Sequence, residues 1–177
     1  MAKVGIFFGT DTGKTRQVAK SIAKLLGSEI ADKPVNVLNA TVEAMLAYQV
    51  LILGTPTYGE GLLPGKSTGN MTESWEEFLP LLNGADFSGK TVAIYGLGNQ
   101  ETYPHEFVSA MIYLYRQFKQ CNATLIGAWN IDGYQFTHSQ AVLDGQFVGL
   151  ALDNEIQRDL TDARLKKWLE MIAPAWQ

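Results

Sequence analysis

Four short, continuous apolar runs punctuate the chain: Val4 to Phe8, Val50 to Leu53, Thr91 to Tyr95 and Thr124 to Trp129. Runs that stay apolar at successive positions suit strands whose sheet is covered on both faces, because neither side chain direction meets water. Val35 to Leu38 is a weaker fifth run. Between the runs, apolar residues recur at helical spacing: Val18, Ala19, Ile22, Leu25 and Leu26; Trp75, Phe78, Leu79 and Leu82; Phe107, Ala110, Met111, Leu114 and Phe118; Leu165, Trp168, Leu169 and Ile172. These stripes read as the buried faces of amphipathic helices, and their Trp, Met and Phe residues as core. The alternation predicts an α/β fold, a doubly wound five-stranded parallel sheet in the order 2-1-3-4-5, within one domain spanning residues 1–177. Such a sheet reverses direction beside strand 1, so ligands sit outside the carboxyl ends of strands 1, 3 and 4. Residues 130–148, polar and then mildly apolar, break the pattern and read as an insertion before the last helix.

The stretch after strand 1 is Thr10-Asp11-Thr12-Gly13-Lys14-Thr15. A loop that leaves a buried strand and opens a helix offers free backbone N–H groups and the positive end of the helix dipole to an anion. Thr10, Thr12 and Thr15 add hydroxyl donors, Gly13 lets the backbone approach without a Cβ, and Lys14 adds a solvated charge. The expectation is a phosphate seat; an ordinary helix start capped by Thr12 is the bland alternative. A nucleoside-triphosphate loop is excluded by spacing, since its first glycine falls on Phe8. The dinucleotide fingerprint fails too, because Gly9 to Lys14 lacks its second and third glycines.

Two more glycine-rich loops follow strands 3 and 4: Gly54-Thr55-Pro56-Thr57-Tyr58-Gly59-Glu60-Gly61 and Gly96-Leu97-Gly98-Asn99-Gln100-Glu101-Thr102-Tyr103-Pro104. Each carries one tyrosine. If both border the phosphate seat, Tyr58 and Tyr103 can cover the faces of a planar ring while backbone groups meet its edge. A response-regulator domain would share the strand order, but the aspartate it phosphorylates at the end of strand 3 is absent here.

Composition narrows the rest. The formal net charge is -4 over 177 residues, which disfavours nucleic acid as a partner and favours basic proteins weakly. A single cysteine, Cys121, rules out a disulfide framework, an iron–sulfur cluster and a cysteine zinc site. His105 and His138, without a thiolate or acid cluster, read as structural or solvated, so no metal is expected. No leader pattern or membrane-length apolar run occurs, so the expectation is a cytoplasmic monomer without membrane association.

With these residues in view, the chain resembles a long-chain bacterial flavodoxin over essentially its whole length. The resemblance rests on Phe7 to Thr15, Leu53-Gly54-Thr55-Pro56-Thr57, Trp75-Glu76-Glu77-Phe78, and Asp132-Gly133-Tyr134 through Phe147 to Asp153. It is most similar to the nitrogen-fixation-associated members at Gly59-Glu60-Gly61 and Leu63-Pro64-Gly65. The resemblance implies FMN, with its phosphate on Thr10 to Thr15 and its ring between the tyrosine loops. It also implies that the insertion splits the last strand and that Glu155 can take over a contact to the ribityl chain. Departures are Asn99, where the family usually has Asp, and Ile156 within Asp153-Asn154-Glu155-Ile156-Gln157. The function implied is low-potential one-electron transfer from a reductase to an acceptor such as the nitrogenase iron protein, with no substrate chemistry. An FMN-dependent quinone or nitro reductase and a flavodoxin-like redox sensor are the alternatives.

Overall fold

The computed structural model describes residues 2–10 and 12–177. Its central strands are the strongest apolar runs: β1 (Val4–Phe8), β3 (Val50–Pro56) and β4 (Thr91–Leu97). Between β1 and β3 runs β2 (Val35–Asn36), and beyond β4 comes β5 (Thr124–Ile126). All pair in parallel in the order β2-β1-β3-β4-β5. Helices α1 (Lys14–Leu26), α4 (Met111–Gln120) and α5 (Thr161–Ile172) cover the sheet, with two short helices, α2 (Val42–Leu46) and α3 (Trp75–Phe78). Their apolar stripes are buried, including the fully covered Ile22, Trp75, Leu114 and Trp168.

The last strand is in two pieces. β5 lies opposite Thr91–Ala93, whereas a later strand, β9 (Leu150–Leu152), lies opposite Tyr95–Leu97 of the same β4. Between them, β6 (Trp129–Asn130), β7 (Val142–Leu143) and β8 (Gln146–Phe147) form a small antiparallel sheet in the order β6-β8-β7. The split is as expected, but the inserted stretch is wider than 130–148. β5 ends at Ile126 because Gly127 takes φ +88°, and Trp129 belongs to the small sheet.

Other boundaries also differ from the apolar pattern. The 107–118 stripe becomes helical only at Met111, because Val108 holds φ +50°, outside the helical region. The Trp75–Leu82 stripe is α3 followed by a tighter 3-10 turn, Leu79–Leu82, with Pro80 lacking an N–H to donate. β2 stops at Asn36, whose side chain accepts from Leu38 N and turns the chain. The apolar pattern does not show α2, since five residues are too few to display a helical period; Thr41 starts it by accepting from Ala44 N at 3.1 Å.

Candidate functional site

The carboxyl ends of β1, β3, β4 and β9 converge on one cleft of about 310 Å³. Its first wall is the loop from β1 into α1. Gly9 N donates to Gly54 O at 3.0 Å, and Asn70 Nδ2 donates to Thr10 O at 3.3 Å, so two neighbouring segments hold this loop. Thr10 Oγ1 accepts from Gly13 N at 3.0 Å. Gly13, not Thr12, caps α1; among the described residues no side chain caps the helix, and no acid stands in its first turn. A helix start of this kind presents backbone N–H groups that suit an anion. Gly13 takes φ +90°, a conformation open to glycine, and a Cβ there would meet no protein atom within 4 Å.

The loop is also anchored from below. Tyr95 is fully buried on β4, and its ring crosses β3 over Gly54 to donate from Oη to Thr15 O at 3.0 Å. Burial pushes its hydroxyl pKa far up, so it remains a donor at any ordinary pH. Trp75 lies over Gly9 on the other side and donates from Nε1 to Gly54 O at 2.8 Å. The glycines at 9 and 54 thus make room for two aromatic rings beneath the seat, a purpose separate from turn formation.

The second wall follows β3. Pro56, Thr57, Tyr58 and Gly59 line the cleft. Tyr58 and Leu62 exchange two backbone hydrogen bonds of 2.8 Å, closing a tight turn in which Gly59 and Gly61 take φ of +47° and +84°. Three residues expected at the site do not line the cleft itself. Thr55 is fully buried and donates to Pro56 O, Glu60 sits exposed at the turn's tip, and Gly61 packs under Glu106 and Ser109. Alternation along a strand sends Thr55 away from the face that Pro56 presents.

The third wall follows β4: Leu97, Gly98, Asn99 and half-exposed Tyr103. Gly98 N donates to Leu152 O at 3.0 Å, tying this loop to β9. Asn99 Oδ1 accepts from Glu101 N and Thr102 N at 3.1 and 2.9 Å, so the amide organises its own turn. Asn154 and Glu155 complete the rim. Lys14 is not solvated alone: its ammonium pairs with the Glu155 carboxylate across the mouth, both half exposed. Glu155 is thereby engaged beside the start of α1. Asp11 lies outside the described residues. Asn154 was not read from the sequence, and neither was the buried pair Gln100–Asp153 behind the rim; Asp153-Asn154 was the available signal.

The cleft therefore has a hydroxyl-lined helix start at one end (Thr10, Thr12, Thr15), polar side chains in the middle, and apolar and tyrosine surfaces at the other. A second hollow, of about 500 Å³, lies beyond Gln100 against Gly133 to Gln135, but Tyr134 is the one aromatic residue in its lining.

The sequence pattern of the flavodoxin family matches residues 6–168. A Klebsiella pneumoniae flavodoxin is 52% identical over 172 residues, 97% of each chain. The chain belongs to the flavodoxin family. An Escherichia coli K12 flavodoxin 1 is 39% identical over 98% of the chain and 94% of its own length. Among solved structures, a Fusobacterium nucleatum flavodoxin bound to flavin mononucleotide superposes with a TM-score of 0.88 at 32% identity, with both chains covered completely. The strand order and the divided last strand described above are thus those of a flavodoxin-like fold.

Proposed function

We propose that the cleft holds FMN without a covalent bond and that the chain is a low-potential one-electron carrier between a reductase and an acceptor protein. The observation that supports this most is the meeting, in one cleft, of a glycine-capped helix start rich in threonine and two tyrosine-bearing loops. The residues suit each part of FMN. The first turn of α1 and the hydroxyls of Thr10, Thr12 and Thr15 would hold the phosphate, Glu155 stands beside Lys14 at that end, and Asn99 and Asn154 also line the cleft. Pro56, Tyr58, Leu97 and Tyr103 would enclose a flat ring. When bound, FMN supplies electron transfer in single steps; the protein supplies binding, orientation and field.

Each wall has a part in that field. Glu60 and Glu101 stand exposed on the two loops at the ring end and disfavour further negative charge there, which lowers the potential for the second electron. The same acids favour a basic docking partner. The positive φ at Gly59 lets the Gly59–Glu60 peptide reorient, so that its carbonyl can be turned to accept a hydrogen bond from a ring N–H. Two tyrosine walls leave little room for a substrate over the ring, which favours a carrier over a quinone or nitro reductase. For the acceptor we propose the nitrogenase iron protein, on the likeness of Gly59-Glu60-Gly61 and Leu63-Pro64-Gly65 to the nitrogen-fixation-associated members.

Acid precipitation of the purified protein should release FMN, and an anaerobic titration should resolve two one-electron steps. The reduced protein should then transfer electrons to nitrogenase iron protein, with no NADPH-dependent turnover in the absence of a partner reductase. Release of FAD, or rapid turnover of a quinone by the protein alone, would overturn the reading.

A further inference from the structure

The middle of the insertion runs along residues 100–109. Gln135 N donates to Gln100 Oε1 at 2.6 Å, and Thr137 N and His138 N both donate to Pro104 O, at 2.7 and 3.0 Å. Gln140 N donates to Ser109 Oγ at 3.0 Å, and its Nε2 to Glu106 Oε2 at 3.2 Å. At each end of this seam, one contact is passed on to a wall of the cleft.

At the first end, Gln100 is buried and its N and Nε2 donate to one carboxylate oxygen of Asp153, at 3.0 and 2.9 Å. The other oxygen accepts from Glu155 N and Ile156 N at 3.0 and 2.9 Å. Asp153 is fully buried, and such a carboxylate depends on every donor it has. Asn99 directly precedes Gln100, and Asn154 and Glu155 directly follow Asp153. The insertion's N–H thus seals a buried link that fixes two walls of the cleft together.

At the second end, Glu106 and Ser109 press on Gly61. A Cβ on Gly61 would stand 3.1 Å from both Glu106 Cδ and Ser109 Cβ. Ala110 N donates to Thr57 Oγ1 at 3.1 Å. The turn that presents Tyr58 and Gly59 is therefore propped by the short segment that Gln140 holds.

We infer that the insertion is a clasp that fixes the 57–61 and 98–103 loops relative to each other, with Gln100, Glu106 and Gln140 as its positioning residues. Loops left to themselves sample many conformations and lose that freedom on binding. The clasp orders them before a ligand arrives. The inference uses the FMN reading for its binding readout and is independent of it for its dynamic one.

Gln100→Ala and Gln140→Ala in the full chain test it, with Asp144→Asn at the β7–β8 turn as the control. Amide exchange followed by mass spectrometry should quicken about fivefold at 98–105 and 153–157 in Gln100→Ala, and at 57–62 and 105–110 in Gln140→Ala. Amides of β1, β3 and β4 should keep their wild-type rates. The FMN dissociation constant should rise about fivefold in each variant and stay unchanged in the control. Unchanged exchange in both loops would overturn the clasp, as would quickening spread evenly through the sheet. Failure of the wild type to bind FMN would overturn the cofactor reading, while the exchange results would still decide the clasp.

Discussion

Gly54→Ala should damage the loop from β1 into α1 from beneath. Gly54 sits in the centre of the sheet, opposite Phe8 on β1 and opposite Tyr95 on β4. A Cβ there would stand 2.5 Å from Tyr95 Cε1, with Cζ and Oη closer still. Relief can come from either partner. If the ring moves, a fully buried residue is repacked and the hydrogen bond to Thr15 O is lost. If β3 moves, Gly54 O leaves the two donors it serves, Gly9 N and Trp75 Nε1. Overpacking a core costs about 1–3 kcal/mol. Leaving a buried acceptor unpaired costs about 1–3 kcal/mol more. The expected loss is therefore about 3–5 kcal/mol, a large share of a typical folding free energy of about 5–15 kcal/mol. Urea unfolding with an unchanged slope measures it. Tyr95→Phe, which removes only the hydroxyl, should cost about 1–2 kcal/mol. The decisive comparison is a cycle with Tyr95→Leu, whose side chain lacks the ring atoms in conflict. In that background Gly54→Ala should cost less than about 1 kcal/mol, giving a coupling of about 2 kcal/mol or more. Equal costs in the two backgrounds would refute the account of how this glycine supports the loop.

Other perturbations follow from the same geometry. Asn99→Asp keeps an oxygen for Glu101 N and Thr102 N and adds a charge to the cleft wall; after solvent screening the potential for the second electron should fall by about 30–60 mV, and a rise in an anaerobic titration would refute this. Lys14→Ala breaks a half-exposed ion pair, so stability should change by less than about 0.5 kcal/mol. The FMN dissociation constant should nevertheless rise about fivefold at low salt, and less in high salt, as read by fluorescence titration. Burial pushes the Tyr134 hydroxyl up to about 12, against the opposing pull of Arg164, whose guanidinium carbon lies 4.0 Å from the ring centre. The folded state thus holds this proton to higher pH than the unfolded chain does. Its contribution, on the order of 2–3 kcal/mol, is fully present below about pH 10 and lost as pH rises through about 12. Urea midpoints should fall across that window, and less steeply in Tyr134→Phe.

The sheet was legible because β1, β3 and β4 bury both faces, which forces an unbroken apolar run that no other element shows so plainly. Edge positions and short elements carried weaker signals. β2 is only two residues of a four-residue run, and the five residues of α2 look like any loop. The start of α4 was misread because Phe107 and Ala110 are buried without being helical: burial writes the hydrophobic pattern, and the left-handed Val108 does not alter it. At the site, residues whose chemistry faces the cleft, such as Thr10, Tyr58 and Asn99, were readable from loop position alone. Thr55 and Gly61 were not separable from them, because alternation and packing decide which way each points. The role of Gly54 depends on a tyrosine forty-one positions away, and the Lys14–Glu155 pair joins opposite ends of the chain. Neither leaves a local trace in sequence.

Along β4, Ala93 faces the end of β5 and Tyr95 faces the start of β9, so only the place opposite Ile94 separates the two halves of the last strand. One residue would bridge them in an uninterrupted strand; the chain instead departs there and returns through Gly149, which presses against the Ile94 backbone. Chain length and sheet continuity are uncoupled at that point. A lineage can lengthen, shorten or replace the excursion without renegotiating a single register in the parallel sheet, and an engineer can do the same. The site is thus a port in the architecture, through which new surface can be exchanged while the parallel sheet stays as it was.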